Sequence, residues 1–249
     1  MKFFVTSDIH SYFTPFKDAL NKAGFDPNNE DHWLVVCGDM FDRGPESVEL
    51  LHFIMSLKRK ILVRGNHDLL LEECCNRGFP YSYDKSNGTV RTIQDIGGSK
   101  DSRYFDGCCQ MTWNKTARYR ELLVNYFETQ NYIFVHSFIP VNSEGKYNPI
   151  YTYREDWRNA NDVEWESATW GDPFKMAEQG LNKTGKVLCV GHWHCSSGWA
   201  KEEGRSEFGE DAKWDIFKDE KHNVIFLDKC TVHTGLVNVL VIKDEFING

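Results

Sequence analysis

Nowhere in the sequence does an apolar run approach the about 18 residues that a membrane-spanning helix needs. Positive charge is also short: 29 Lys and Arg stand against 37 Asp and Glu, for a formal net charge of −8. That balance leaves no basic field for gripping a nucleic-acid scaffold, although a metal-lined pocket can still attract anions locally. Cysteine is present eight times, at 37, 74, 75, 108, 109, 189, 195 and 230, but never as C-x-x-C. Adjacent pairs such as Cys74-Cys75 are awkward for bridging or for tetrahedral zinc, so the cysteines read as buried or loose thiols in a reducing compartment. There is no internal repeat, low-complexity tract or interdomain linker, and the start of the chain lacks the apolar run and small-residue cleavage site of a signal peptide. The expected location is cytoplasmic, without membrane attachment.

What is there suits a sizeable core. Apolar residues make up 41% of the 249 residues and aromatic residues 14%, which fits one domain over residues 1–249. Short runs rich in Val, Ile and Phe predict strands at Lys2 to Thr6, His32 to Cys37, Lys60 to Val63, Tyr132 to Val135, Val187 to Val190, Val224 to Leu227 and Leu236 to Ile242. Between the first three, apolar periodicity predicts helices over Phe13 to Ala23 and Glu46 to Leu57, with Pro45 placed to open the second. The last third reads as strands separated by turns. The expected fold class is α/β, layered, with mixed sheets flanked by helices. Residues 80–115, apart from a helical candidate at Thr89 to Ile96, and residues 142–172 read as irregular loop or cap insertions.

The polar chemistry lies where the strands end. Asp8-Ile9-His10 follows the first run, Gly38-Asp39-Met40-Phe41-Asp42-Arg43-Gly44 the second, and Arg64-Gly65-Asn66-His67-Asp68 the third. The fourth run ends at His136 and the fifth at Gly191-His192-Trp193-His194. Carboxyl ends of neighbouring strands in an open α/β sheet converge on one crevice, so these segments are expected to meet. Carboxylates, imidazoles and an amide oxygen without thiolate suit Mn²⁺, Fe, Zn²⁺ or Co²⁺, and six or seven such ligands exceed what one tetrahedral ion needs. Two divalent ions are the natural count, an arrangement known in phosphatases and nucleases.

In their order and spacing these motifs resemble the calcineurin-like metallophosphoesterase superfamily. G-D-M-F-D-R-G and V-R-G-N-H-D are similar to the branch holding the Ser/Thr phosphoprotein phosphatases and the bacterial symmetrical dinucleoside tetraphosphatases. Ala168-Thr169-Trp170-Gly171-Asp172-Pro173 resembles the L-W-S-D-P element of the protein phosphatases, and Leu227-Asp228 through Gly235-Leu236 an Asp-Thr-Gly strand pair near the family's C-terminus. The resemblance implies metal ligands at Asp8, His10, Asp39, Asn66, His136 and His192, with Asp39 bridging two ions, manganese first among them. His194 is a further ligand candidate, from the wider superfamily rather than the protein phosphatases. His67 is implied as general acid and Asp42 as the carboxylate that holds it. Arg43, Arg64 and Asn66 are implied to bind the substrate phosphate. A further phosphate-binding Arg has two candidates, Arg154 and Arg158.

The activity implied is hydrolysis by in-line attack of a metal-bound hydroxide on phosphorus, with no phosphoenzyme. Two substrate classes stand open: a phosphorylated protein, favoured on G-D-x-x-D-R-G and W-x-D-P, and a dinucleoside polyphosphate. Aromatic residues between Tyr147 and Trp170 could stack a nucleobase or pack locally. A non-catalytic metal-binding module is the reading from another class, and it would need a ligand or His67 to be missing. His32, His52, His222 and His233 fall outside the motifs and read as structural or solvated.

Overall fold

Strand β1 (Lys2–Thr6) is buried on both faces, which is why its sequence runs apolar without alternation. Phe3 and Val5 face one layer and Phe4 the other. In the computed structural model, which describes residues 1–145 and 149–247, β1 is followed by α1 (Phe13–Ala23), β2 (His32–Cys37), α2 (Ser47–Ser56) and β3 (Lys60–Val63). Helix α2 opens at Ser47 with Glu46 at its cap, so Pro45 lies just outside it. Helices α3 (Asn66–Arg77), α4 (Ser82–Asn87), α5 (Thr89–Gly97), α6 (Phe105–Lys115) and α7 (Ala117–Glu121) come next, ahead of β4 (Leu123–Val124). The helical candidate at Thr89 to Ile96 is α5, and the rest of the stretch expected to be irregular near residues 80–115 carries α4 and α6 as well. Glycines end α4 and α5 in the left-handed conformation, and this punctuation keeps α4 to six residues, too short to read as a helix.

The second half holds β5 (Phe127–Glu128), β6 (Tyr132–Phe134), β7 (Asn142–Glu144), β8 (Ile150–Thr152), α8 (Asp162–Thr169), α9 (Pro173–Glu178) and β9 (Val187–Val190). It closes with α10 (Cys195–Glu203), β10 (Phe217–Asp219), β11 (Val224–Phe226), α11 (Thr231–Thr234) and β12 (Leu240–Lys243). The last third thus carries helices where only turns were expected. Around 142–172 lie a β7–β8 hairpin and α8, capped by Asn161, whose side chain accepts from the Glu164 amide. Tyr147 is outside the described residues.

Two five-stranded mixed sheets, β12-β1-β2-β3-β4 and β10-β11-β9-β6-β5, each keep parallel strands at the centre and an antiparallel strand on at least one edge. They pack face to face through Phe3, Val5, Val35, Cys37, Val63, Phe134, Cys189 and Leu227. Helices cover both outer faces: α1, α2, α3, α5 and α6 over the first sheet, α8, α9 and α10 over the second. The carboxyl ends of β1, β2, β3, β6 and β9 all open on the same end of this sandwich, and the loops that leave them carry the polar motifs. Among the described residues no helix is long and apolar enough to cross a membrane.

Candidate metal centre

Backbone strain marks the site. Nine non-glycine residues among those described have positive φ, and they include Asp8, His10, Asp39, Asp42, Arg43 and His192. A left-handed turn at such residues costs about 1–3 kcal/mol each and persists only where the surroundings impose it. Here the reward is direction: the chain turns left-handed two residues beyond the ends of β1, β2 and β9, at Asp8, Asp39 and His192, and carries those side chains inward. Glycines make room behind them. A Cβ on Gly65 would stand 2.2 Å from Asp39 Oδ1, and one on Gly191 would stand 2.2 Å from Asp8 Oδ2.

Asp39 is the hub. Its Oδ1 accepts from the His67 amide at 3.0 Å and lies 3.4 Å from His136 Nε2, while its Oδ2 is 3.9 Å from Nε2 of both His10 and His67. Ligand-capable atoms of His10, Asp39 and His67 fall within 4.8 Å of one another, and so do those of Asp39, His136 and His192. Two groups sharing one carboxylate have the form that a pair of bridged ions requires. Burial alone would raise the Asp39 pKa, but the imidazoles of His136, His67, His10 and His192 hold it well below the usual carboxylate range. For His192 burial and the nearby His136 act together, pushing it down to about 3, so at neutral pH its ring is uncharged. Burial likewise lowers His10.

Hydrogen bonds fix which ring nitrogens face inward. His10 Nδ1 donates to the Phe41 carbonyl at 3.0 Å and His136 Nδ1 to the Cys37 carbonyl at 2.9 Å, which turns the Nε2 edge of both rings toward the centre. His136 Nε2 then hydrogen-bonds Asn66 Oδ1 at 2.7 Å and lies 3.4 Å from Asp39 Oδ1. An imidazole nitrogen, an amide oxygen and a carboxylate oxygen converging on one buried point form a donor set that suits a divalent cation. The residues present therefore fit a metal of the oxygen- and nitrogen-binding kind.

Asp8 comes to the same place. Its Oδ2 accepts from the His192 amide at 3.0 Å, Thr231 Oγ1 donates to its carbonyl at 2.8 Å, and burial raises its pKa. The Asp39 charge adds to that rise, and burial together with the Asp8 charge raises buried Asp228, from the loop after β11. Asn66 and His67 begin α3, whose first turn is tied down by Asp68. Asp68 Oδ2 accepts from the Gly65 amide at 2.8 Å, and its Oδ1 accepts from Tyr119 Oη at 2.5 Å. His67 Nδ1 donates to Asp42 Oδ2 at 2.8 Å, and Arg43 bridges the two imidazoles, its Nη2 3.0 Å from His67 Nε2 and its Nη1 3.3 Å from His10 Nε2. Burial opposes the charged form of His67, yet Asp39 and Asp42 outweigh it and raise the pKa.

Four expected residues stand apart. His194 is in neither group; its Nδ1 pairs with Glu207 Oε1 at 3.1 Å and its Nε2 lies 3.9 Å from Asp228 Oδ2. Arg64 points toward Glu72, 3.9 Å away. Arg154 is engaged by Asp156 and Glu164, and Arg158 by Glu128 with its guanidinium 4.2 Å from the Trp157 ring centre. Other contributors escaped the sequence reading: Thr89 and Thr92 on Asp42, Tyr119 on Asp68, and Thr231 on Asp8. The one signal available was G-T-V-R-T, where Gly88 at φ +87° sits so close to Arg43 that a Cβ would be 2.3 Å from its amide nitrogen.

A two-group centre built on Asp39, at the joint end of two mixed sheets, agrees with a match over residues 1–227 to the family model described as calcineurin-like phosphoesterase. The chain belongs to the calcineurin-like phosphoesterase family. It is similar to the "Bis(5'-nucleosyl)-tetraphosphatase, symmetrical" of Aromatoleum aromaticum, 42% identical over 72 residues, which is 28% of this chain and 26% of that protein. The protein of the same description from Pseudomonas fluorescens is 29% identical over 165 residues, 66% of this chain and 50% of its own length. The matched part of this chain thus spans from a quarter to a half of these relatives. Among solved structures, a protein serine/threonine phosphatase from Saccharomyces cerevisiae shares the fold, with a TM-score of 0.51 at 14% identity over 100% of this chain and 81% of that one.

Proposed function

We propose that this chain is a metal-dependent phosphoesterase that cleaves symmetrical dinucleoside polyphosphates of the diadenosine tetraphosphate type. What carries the reading is the similarity to two proteins described as symmetrical bis(5'-nucleosyl)-tetraphosphatases, together with a centre that brings His10, Asp39, His67, His136 and His192 within reach of one another. Asp8, His10, Asp39, Asn66, His136 and His192 would hold two divalent ions. When bound, those ions would supply positive charge to phosphoryl oxygens and lower the pKa of a water toward neutrality.

The remaining chemistry belongs to side chains. Asp42 takes the Nδ1 proton of His67 as a hydrogen bond, which turns Nε2 toward the centre and favours the charged ring. From there His67 gives a proton to the departing oxygen. Arg43, one guanidinium away from His67 and His10, is placed to hold phosphate oxygens by paired N–H groups. A second reading, a Ser/Thr phosphoprotein phosphatase, is favoured by Trp170 of the Ala168–Pro173 element, whose indole stands edge-on to His192 with ring centres 6.4 Å apart.

Hydrolysis of diadenosine tetraphosphate, a phosphothreonine peptide and p-nitrophenyl phosphate, each with Mn²⁺, Fe²⁺, Zn²⁺, Co²⁺ or Mg²⁺ added to stripped protein, separates the readings. Tetraphosphate turnover yielding two ADP, abolished by Asp39→Asn, supports the first. Preference for the phosphopeptide moves the assignment to the second. Inactivity on all three from protein that still binds two ions leaves the non-catalytic module.

A further inference from the structure

A cavity of about 270 Å³ opens directly beside the metal centre, lined by His192, Trp193, His194, Ser197, Glu207 and Phe208. One of those residues belongs to the Asp39 group, and the others come from the start of α10 and the loop after it. We propose that this cavity is a purine-base pocket, seating the base of the nucleotide whose phosphates occupy the centre. The inference rests on the nucleotide reading above and adds where the base is recognised and by which residues.

Two open aromatic rings argue for it. Phe208 is 51% exposed and Trp193 41% exposed, although each has a place to pack. Phe208 is braced from behind by Trp214, at 5.5 Å between ring centres, and by His233 edge-on at 5.8 Å, while His194 stands edge-on at 6.1 Å. A ring held rigid by neighbours yet left open to solvent is oriented without being buried, which suits a flat π-system as its missing partner. Folding gains nothing from that exposure.

The polar edge matches as well. Glu207 Oε1 is engaged by His194 Nδ1 and Ser196 Oγ, both at 3.1 Å, which fixes the carboxylate against the wall. Its Oε2 makes no hydrogen bond among the described residues, so one acceptor is left available on a residue that lines the space. An exocyclic amino group of a purine donates to such an oxygen, and two fused rings cover more of the aromatic surface than one. At about 270 Å³ the space is near the low end of the about 300–1,000 Å³ of pockets that enclose a drug-sized ligand, which is ample for one base. This also accounts for His194: drawn to Glu207, it serves the wall of the base pocket instead of the metal groups.

The test is equilibrium binding of AMP and of ribose 5-phosphate to the manganese-loaded chain by calorimetry. The two ligands share the phosphate and the sugar and differ only in the base. AMP is expected to bind at least about tenfold more tightly, within what one base–aromatic stack contributes. In Phe208→Ala the ratio should collapse toward one, and Phe208→Tyr should restore it. Should Phe208→Ala fail to fold, Phe208→Leu keeps the apolar bulk, removes the π face and carries the same comparison. Equal affinities in the unaltered protein, or a ratio that survives loss of the ring, overturn the pocket. Turnover of diadenosine tetraphosphate is scored separately: cleavage with a ratio of one removes the pocket and leaves the proposed function, and an intact ratio without cleavage does the reverse.

Discussion

Thr89 Oγ1 donates to Asp42 Oδ2 at 2.6 Å, joining the first residue of α5 to the carboxylate that holds His67. The Asp42 amide in turn donates to Thr92 Oγ1 at 3.0 Å, so one helix face grips the aspartate at both ends. The other oxygen of Asp42, Oδ1, is buried and has no hydrogen-bond partner among the described residues. Asp42 thus depends on Thr89 for its orientation.

Thr89→Val keeps the shape and removes that donor. One lost hydrogen bond to a charged group is worth about 1.5 kcal/mol, or roughly tenfold in rate if it is felt in the proton-transfer step. An alkyl phosphate ester, whose leaving oxygen needs its proton, should lose about that factor in kcat. p-Nitrophenyl phosphate leaves without much help and should lose less. Equal losses on both substrates would make Thr89 a general stabiliser with no link to the acid.

Gly88 offers a matched pair of substitutions. At φ +87° an alanine is strained in any setting, and here its Cβ would also sit 2.3 Å from the Arg43 amide nitrogen. Gly98, at φ +90° with nothing within 4 Å, suffers the strain alone. Gly98→Ala should cost about 1 kcal/mol and Gly88→Ala clearly more, because backbone must move. Urea midpoints of the two variants check the order. The displaced Arg43 should also raise KM in Gly88→Ala, and an unchanged KM would separate the turn from the phosphate site.

Much of this was legible because burial on both faces leaves a plain mark. The strands β1, β2, β3 and β9 carry the residue limits that their apolar runs announce, and the side chains that follow them meet at one end of the sandwich. The support behind those side chains left no such mark. Tyr119 reaches Asp68 across 51 residues and Thr231 reaches the Asp8 carbonyl across 223, and nothing in a threonine or tyrosine says which distant group it will meet. Helix α4 was hidden for another reason: Gly88, which lets the chain turn sharply against Arg43, cuts it to six residues, whereas α5 was readable over Thr89 to Ile96. His194 shows the converse. Its spacing to His192 invites a ligand role, but the backbone enters α10 there and the side chain faces Glu207 instead.

Acid stability should show the ion pairs at the edge of the second sheet. Glu128 accepts from Arg158 at 2.6 and 2.9 Å and pairs with Lys186 at 2.9 Å. Burial alone would raise its pKa, yet the two cations outweigh burial and hold it below the ordinary glutamate value of 4.5. A carboxylate with a depressed folded-state pKa binds fewer protons folded than unfolded. Its stabilisation is therefore complete above about pH 4.5 and drains away as the pH falls through the lower folded value. Glu128→Gln should lose on the order of 1 kcal/mol at neutral pH, after allowance for solvent screening, and the gap to the unaltered protein should close in acid. Urea midpoints at neutral pH and at about pH 3 check the sign, since both values bracket the unfolded glutamate pKa.

The convergence of His136 Nε2, Asn66 Oδ1 and Asp39 Oδ1 predicts how the protein responds to metal. A ring nitrogen with two oxygens at 2.7 and 3.4 Å, all buried, is a donor set that a divalent cation can share. A divalent ion that binds only the folded state, at about 100 times its Kd, adds roughly 2.7 kcal/mol. For a chain of this size that corresponds to a Tm higher by about 5–10 °C. Scans of stripped protein with and without Mn²⁺ should show the rise, and Mg²⁺, which prefers oxygen ligands and keeps its waters, should give less of it. His136→Ala removes one nitrogen of that set, from one of the two groups only. It should leave a cavity cost beside Gly38 and bind one ion fewer than the unaltered chain. Metal counting by atomic emission decides the point. An ion count unchanged in His136→Ala would place the ions on other residues, and a Tm indifferent to Mn²⁺ in the unaltered chain would remove the metal assignment.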